Sequence, residues 1–339
     1  MPRIEELLTP RELIDYTKER TQEAYMGEYL FPEEKVEALE IDIVKGASNL
    51  PVSAKIHAFD TEAEIASREG AEAFSQDLAL IKRKVKIPEK TLIALESPRN
   101  DIEEANMIRN IFRDVDSLTA SVRTRVESMR MEALSTGKIV VNENGVKATI
   151  DYGMPAEHKA AKTWLSGTAK ILDEMEEMVQ TIVDDTGFTP TRALTSKKIL
   201  NGILRDETIR AAIYGVNSSK LLTVAELNAF LAQQKLPQIA VYDKKYRYQN
   251  AKGKYEAKRF LTENVFVMMP DGKMGDTFYG VTAEELELRR NPAVDISEIG
   301  KIIVCQYNTV DPVAKWIKAV ATALPSFPYA DQVFVATIS

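Results

Sequence analysis

Residues 100–136 read NDIEEANMIRNIFRDVDSLTASVRTRVESMRMEALST, and the fold turns on how they are read. Apolar side chains recur every three or four positions at Ile108, Ile111, Phe112, Val115, Leu118, Val122, Val126, Met129 and Ala133. Arg109, Arg113, Arg123, Arg125, Glu127 and Arg130 lie largely off that stripe. This is the period of a single amphipathic helix. Ser97-Pro98, or Asn100 with Glu103, can cap it. Asp101, Glu103 and Glu104 put negative charge at the positive end of its dipole, and Gly137 stops it. At 1.5 Å per residue the rod is roughly 55 Å long, so the sequence predicts a spine that lies across a sheet or against another subunit. Its stripe does not keep a strict a/d heptad, which argues against a coiled coil.

Upstream of the spine, Val52 to Phe59 and Leu78 to Ile87 alternate with period two and read as the two strands of a long ribbon. The stretch between them, Asp60 to Asp77, is too long for a tight turn and too polar for a core. An isolated two-stranded ribbon is marginal in water, so it is expected to project and to be held by a neighbouring chain. Its return strand carries the basic cluster Lys82, Arg83, Lys84 and Lys86. A surface such as Glu103 and Glu104 of a neighbour is the expected acidic complement. Residues 1–31 are dense in charge around Ile4, Leu7, Leu8, Leu13, Ile14 and Tyr16, the pattern of an arm with a short amphipathic helix after Thr9-Pro10 that needs something to lie on.

Downstream, Lys138 to Tyr152 alternates around Asn144-Gly145, a strong hairpin signal. Trp164 to Thr186 predicts a helix with a solvated acidic face of Asp173, Glu174, Glu176 and Glu177, ended by Gly187. Further helices are predicted over 196–204, 206–214 and 223–234, the last with a Thr223/Glu226 capping box. Short strands over 239–242, 246–249, 255–261 and 265–269 complete a second α+β region. Another strand holds Phe278 and Tyr279, an apolar one spans Lys301 to Tyr307, Asp311-Pro312 begins a loop with Trp316, and Val333 to Ile338 is a strand expected to return to the spine domain.

With 339 residues, 45% of them hydrophobic, the chain can form two cores. It has no apolar run long enough to span a membrane and no basic-then-apolar start, so neither a membrane segment nor a secretory signal is expected. A net charge of −7 argues against wrapping nucleic acid with the whole surface. The single cysteine, Cys305, lies in an apolar run and reads as a buried strand thiol. There is no phosphate loop, GxGxxG or HExxH pattern. His57 and His158 have no nucleophile nearby in sequence, so no catalytic, cofactor-binding or metal site is assigned. Tyrosines and basic residues interleave from Tyr242 to Tyr255, which is read as an exposed hairpin turning at Lys252-Gly253 in preference to a single-strand nucleic-acid platform. A pocket with Asp184, Asp185 and Lys197 within residues 160–325 would be the site of a cytosolic enzyme, the rival reading.

The order of arm, two-stranded loop, spine helix, hairpin, second α+β domain and closing strand resembles the Hong Kong 97 capsid fold. Ala63-Glu64-Ile65-Ala66-Ser67-Arg68-Glu69-Gly70 with Phe74 and the 82–87 strand resembles the extended loop of the major capsid protein E family of lambda-like tailed phages. The stretches Asp311-Pro312 through Leu324-Pro325, and Asp331-Gln332-Val333-Phe334-Val335, are similar to its C-terminus. The resemblance implies an α+β chain divided into an N-terminal arm (1–40), an extended loop with flanking strands (41–95), a peripheral or P domain with spine and hairpin (96–159), an axial or A domain (160–295) and C-terminal strands (296–339). It implies no enzymatic site and no cofactor. It implies self-assembly into hexamers and pentamers of an icosahedral head around double-stranded DNA, with portal, scaffolding and decoration proteins as partners. Assembly would take place in the host cytoplasm and the product would be the virion. Arg68, Lys82, Arg83, Lys84, Lys86, Glu103 and Glu104 are the expected intersubunit contacts. An encapsulin-like compartment built on the same fold is the alternative.

Overall fold

The computed structural model describes residues 9–19, 22–44, 73–96, 100–167, 169–216, 219–250, 252–290, 300–311 and 313–339. In chain order it contains α1 (Pro10–Glu19), α2 (Met26–Leu30), β1 (Glu33–Lys35), β2 (Glu40–Val44), β3 (Ala73–Asp77), β4 (Ala79–Pro88), α3 (Glu89–Glu96) and α4 (Asp101–Thr136). There follow β5 (Lys138–Glu143), β6 (Val146–Asp151), β7 (Lys159–Lys162), α5 (Ile171–Thr186), β8 (Arg192–Thr195), α6 (Lys197–Arg205), α7 (Glu207–Tyr214) and α8 (Val224–Gln233). The rest is β9 (Gln238–Val241), β10 (Lys245–Gln249), β11 (Tyr255–Arg259), β12 (Val265–Met269), β13 (Thr277–Gly280), α9 (Ala283–Arg289), β14 (Ile303–Val310), β15 (Val313–Pro325) and β16 (Phe334–Ile338). These elements form two compact units. One draws on Met1–Ile41, Ser75–Met129 and Asp276–Ser326, the other on Asp42–Phe74, Arg130–Gly275 and Phe327–Ser339.

The first unit is built around β15. Along one edge, residues 314–323 pair antiparallel with all of β4; along the other, 313–320 pair with β14 and 322–325 with β13, which is joined in parallel by β1. One sequence expectation is corrected here. β15 was expected to be a loop, but from Ala319 to Pro325 it is buried on both faces, which erases the alternation by which a half-exposed strand is recognised. The strand at Leu78 to Ile87 was expected to pair with Val52 to Phe59. It pairs with β15, a partner that a period of two does not reveal, since it fixes only which side chains share a face. Val52 to Phe59 and Arg68 lie outside the described residues. The ribbon that is described is β2 with β3.

The described part of the arm finds the surface it needs within its own chain, on α4. Leu13, Leu30 and Phe31 are buried. The Tyr16 ring lies 4.5 Å from that of Phe112, and its hydroxyl donates to Asp116 at 3.0 Å. Arg123 donates to Gln22 Oε1 and Glu28 Oε1, each at 2.6 Å, and its guanidinium lies 5.3 Å from the Tyr25 ring. Glu127, fully buried, accepts the Gly27 amide at 3.0 Å. Arg123 and Glu127 are one helical turn apart on the charged side of α4. The apolar stripe meets the core, while the charged side meets the arm. Asn100 caps this helix, its side chain accepting the Glu103 amide at 2.8 Å.

In the second unit the strand order is β7-β16-β12-β8-β9. Phe266 and Met268 of β12 and Phe334, Ala336 and Ile338 of β16 share one face. They form a core with Ile171, Met175, Met178 and Ile182 of α5, Ile199 and Ile203 of α6, and Leu227 and Leu231 of α8. The terminal strand therefore joins this sheet. Thr223 and Glu226 form the predicted capping box. β5 and β6 turn at Asn144 and Gly145, with φ of 50° and 83°, the left-handed pair that a two-residue hairpin turn requires. β10 and β11 form the expected hairpin, the Asn250 side chain accepting the amides of Lys252 and Lys254.

Candidate assembly surface

In β4, Val85 and Ile87 face one way while Lys82, Lys84 and Lys86 face the other, exposed to solvent. Register places Lys86 and Tyr307 beside Trp316, and Lys84 and Cys305 beside Lys318. The Tyr307 and Trp316 rings stack at 6.2 Å between centroids and 7° between planes. The Lys84 ammonium lies 4.4 Å from the centre of Trp316 and donates to the Tyr307 hydroxyl at 3.0 Å, and the Lys86 ammonium lies 6.0 Å from Trp316. Lys318 donates to Glu284 of α9 at 2.6 Å. Burial alone would raise the Glu284 carboxyl, but the hydrogen bond and charge of Lys318, with the charge of Lys82, hold it below its usual range. The surface is thus a row of ammonium groups propped on two aromatic rings. Its basic residues were legible in the sequence; its aromatic floor was not, because Tyr307 and Trp316 lie more than 200 positions away. Cys305 belongs to the same strand and is half-buried, its thiol pushed up by burial.

Glu103 and Glu104, the expected acidic complement, stand half-buried in the first turn of α4, where the helix dipole already uses their charge. Asp184 and Asp185 do not converge with Lys197 on a pocket. Asp184 accepts from Gln180 within α5, and Asp185 turns to His158. A depression in this unit is lined instead by Glu207, Thr208, Arg210, Ala211, Gly215, Val216 and Ser219. Among the described residues no group of three or more histidine, cysteine or carboxylate side chains could hold a metal ion, and no helix is long and apolar enough to cross a membrane.

The family model described as phage major capsid protein E matches residues 9–338. The chain belongs to the phage major capsid protein E family. This is a family of structural proteins, and the chain is accordingly a phage capsid subunit that self-assembles into the shell of the virion. Its α+β fold is shared with solved structures. A protein of an Escherichia coli CFT073 prophage, described as its capsid protein, is similar at 16% identity over 79% of this chain and 80% of that one, with a TM-score of 0.53. A phage-related protein from Bordetella bronchiseptica RB50 is similar at 12% identity over 99% and 98%, also with a TM-score of 0.53. No curated protein matches the chain.

This capsid protein also buries a titratable cluster where α5, β7 and β16 meet. His158 is fully buried, its ring stacked on Phe334 with centroids 6.1 Å apart and its Nε2 3.3 Å from Asp185 Oδ2. Burial lowers its pKa against the opposing pull of Asp185, the backbone at Asp331 and Val333, and Glu157, so the ring is neutral at pH 7. The Asp331 carboxyl is pushed up to about 6, first by burial and then by the charge of Asp185. Because the folded value lies above the unfolded one, the native state takes up this proton first. Asp331 contributes stability that is complete below about pH 4 and is lost as pH rises through about 6. Asp331→Asn, which removes the ionised form but keeps an acceptor for the neighbouring amides, should therefore raise stability at pH 7.5 by about 1–2 kcal/mol, allowing for partial solvent screening. Urea unfolding at pH 7.5 and pH 4.5 checks this. The gain should fall to about a third at the lower pH, and an equal gain at both values would contradict the assignment.

Proposed function

We propose that copies of this chain join as hexamers and pentamers into the closed icosahedral head of a tailed phage around double-stranded DNA, assembling in the host cytoplasm. The observation that carries the reading is the family match over residues 9–338. The exposed lysine row of β4 supports it, since a long basic edge on an otherwise acidic chain is a natural meeting place for another copy. In this reading the unit holding β4, β14 and β15 is the peripheral domain with the first part of the spine, and the unit holding the β7-β16-β12-β8-β9 sheet is the axial domain. Lys82, Arg83, Lys84 and Lys86 are intersubunit contacts on the basic side, with Arg68, Glu103 and Glu104 at neighbouring contacts. Contact between unlike surfaces closes into rings when the rotation permits. Scaffolding and portal proteins would guide closure, and a decoration protein would sit on the finished shell.

The test is the content of nuclease-treated native particles. Double-stranded DNA protected inside them is the expected result. Particles that hold protein cargo and no DNA would favour the encapsulin-like alternative.

A further inference from the structure

The hairpin of β10 and β11 is a two-stranded sheet of its own, joined to neither larger sheet. From Asp243 to Arg259 it carries seven basic residues and two acidic ones, within a chain of net charge −7. Both acidic groups are engaged. Asp243 accepts from Arg259 at 2.5 Å, and Glu256 accepts from the Tyr248 hydroxyl at 2.7 Å and from the Asn250 side-chain amide at 2.6 Å. Lys245, Arg247, Lys252, Lys254 and Lys258 are exposed, and none of them has a carboxylate partner among the described residues. Register sets Lys245 and Arg247 on one face of the ribbon with Tyr255, and Lys258 on the other with Tyr246 and Tyr248. Lys252 and Lys254 stand at the turn, so cations surround the ribbon. Its rings hold it together: Phe260 stacks with Tyr242 at 6.0 Å and with Tyr246 at 4.8 Å, Tyr248 lies 6.5 Å from Tyr246, and the Arg247 guanidinium lies 5.1 Å from the centre of Tyr255. A platform for unpaired bases needs ring faces open for stacking. These rings pack on one another, and what the ribbon offers outward is charge.

We propose that this hairpin is a binding site for double-stranded DNA, entering a groove as a two-stranded ribbon with Lys245, Arg247, Lys252, Lys254 and Lys258 on the phosphates. This rests on the capsid reading, in which such DNA fills the head, and names a surface of the subunit that meets it. The major groove admits a two-stranded β-ribbon, and its walls are the two phosphate backbones, so a ribbon within it meets anions on both sides. Charge on both faces and at the turn fits that arrangement. An acidic helix face of another copy, such as Asp173, Glu176 and Asp184 of α5, would satisfy one face of the ribbon and leave the other uncovered. Contacts to phosphate position a protein on DNA and carry no sequence information. Binding is therefore without sequence preference and weakens as salt is raised.

The experiment titrates the full chain into short fluorescently labelled DNA duplexes of two unrelated sequences over a range of salt. Equal affinity for both is expected, with the logarithm of the binding constant falling against that of salt at a slope of about −4 to −5, the value for five phosphate contacts. Lys252→Gln/Lys254→Gln should weaken binding at low salt by roughly ten-fold and reduce the slope by about two, and Lys245→Gln/Lys258→Gln, on opposite faces, should do the same. Both sets leave the ring stack untouched and should form particles as the parent does. Should either set fail to fold, Lys254→Gln alone keeps the test open, with a slope reduced by about one. The inference is overturned if the parent binds no duplex, if the hairpin variants keep the parent's slope, or if Lys82→Gln/Lys84→Gln/Lys86→Gln removes binding that the hairpin variants leave intact. It is equally overturned if unpaired strands of the same length bind more tightly than duplex, since stacking would then be at work. Hairpin variants that form no particles yet bind duplex like the parent would make the ribbon a contact between copies and overturn it too. A parent chain that forms no particles would overturn the capsid reading itself; parent particles with hairpin variants that bind duplex unchanged would overturn this inference alone.

Discussion

Alanine at Gly137 should destabilise the folded chain by about 2–4 kcal/mol. Gly137 is the residue that ends the 36-residue α4, its amide donating to the Ala133 carbonyl at 2.8 Å while its own carbonyl accepts the Tyr152 amide at 3.0 Å. Its φ is +73°, and a Cβ there would fall 2.6 Å from Met154 Cβ. The left-handed conformation costs an L-residue about 1–2 kcal/mol, and crowding a packed site adds about 1–3 kcal/mol. Gly145 separates the two effects: its φ is +83° but open space surrounds the position. Gly145→Ala should therefore lose only the conformational share, about 1 kcal/mol. Urea unfolding of both variants checks this, and equal losses would show that the contact with Met154 relaxes freely. Tyr152, whose amide Gly137 accepts, packs edge-on against Phe327 at 5.9 Å just ahead of the terminal strand.

Trp164→Ala should cost about 3–5 kcal/mol, the usual penalty for deleting a buried aromatic ring. Trp164 is 2% exposed, meets Phe266 edge-to-face at 4.9 Å between centroids, and donates its Nε1 proton to Glu174 at 2.7 Å. Trp164→Phe keeps a ring against Phe266 but leaves the Glu174 carboxylate without that donor, so its loss should be about 1–2 kcal/mol. Thermal unfolding of the two variants provides the comparison. A phenylalanine variant as unstable as the alanine variant would mean that the hydrogen bond, and not the packing, holds this corner.

Glu174 also shows where sequence reading reaches its limit. It belongs to an acidic run that reads as solvated, yet Trp164, seven residues before α5 begins, makes it an anchor, and Lys162 approaches it at 3.8 Å. The same holds for Arg123 and Glu127, which read as the wet side of the spine until the arm is laid on them. Features set by near neighbours in the chain were legible. The ends of α4, the Thr223 capping box, the Asn144-Gly145 turn and the apolar strand Val265–Met269 all follow from local chemistry. Features that depend on pairing across the chain were not. β4 announces which of its faces is basic but cannot announce β15 as its partner, and β15, buried on both sides at its C-terminal end, carries no alternation to announce itself. The basic face of β4 was half legible for that reason: its lysines lie close together at 82, 84 and 86, and its aromatic floor arrives from residues 307 and 316.

The most direct test of the whole account is electron microscopy of the purified chain, taken through a range of concentration and ionic strength. The expected result is closed shells or the ring-shaped capsomers that build them. Monomers and small oligomers throughout, with residues 9–31 folded on α4 and no larger particle at any concentration, would contradict it.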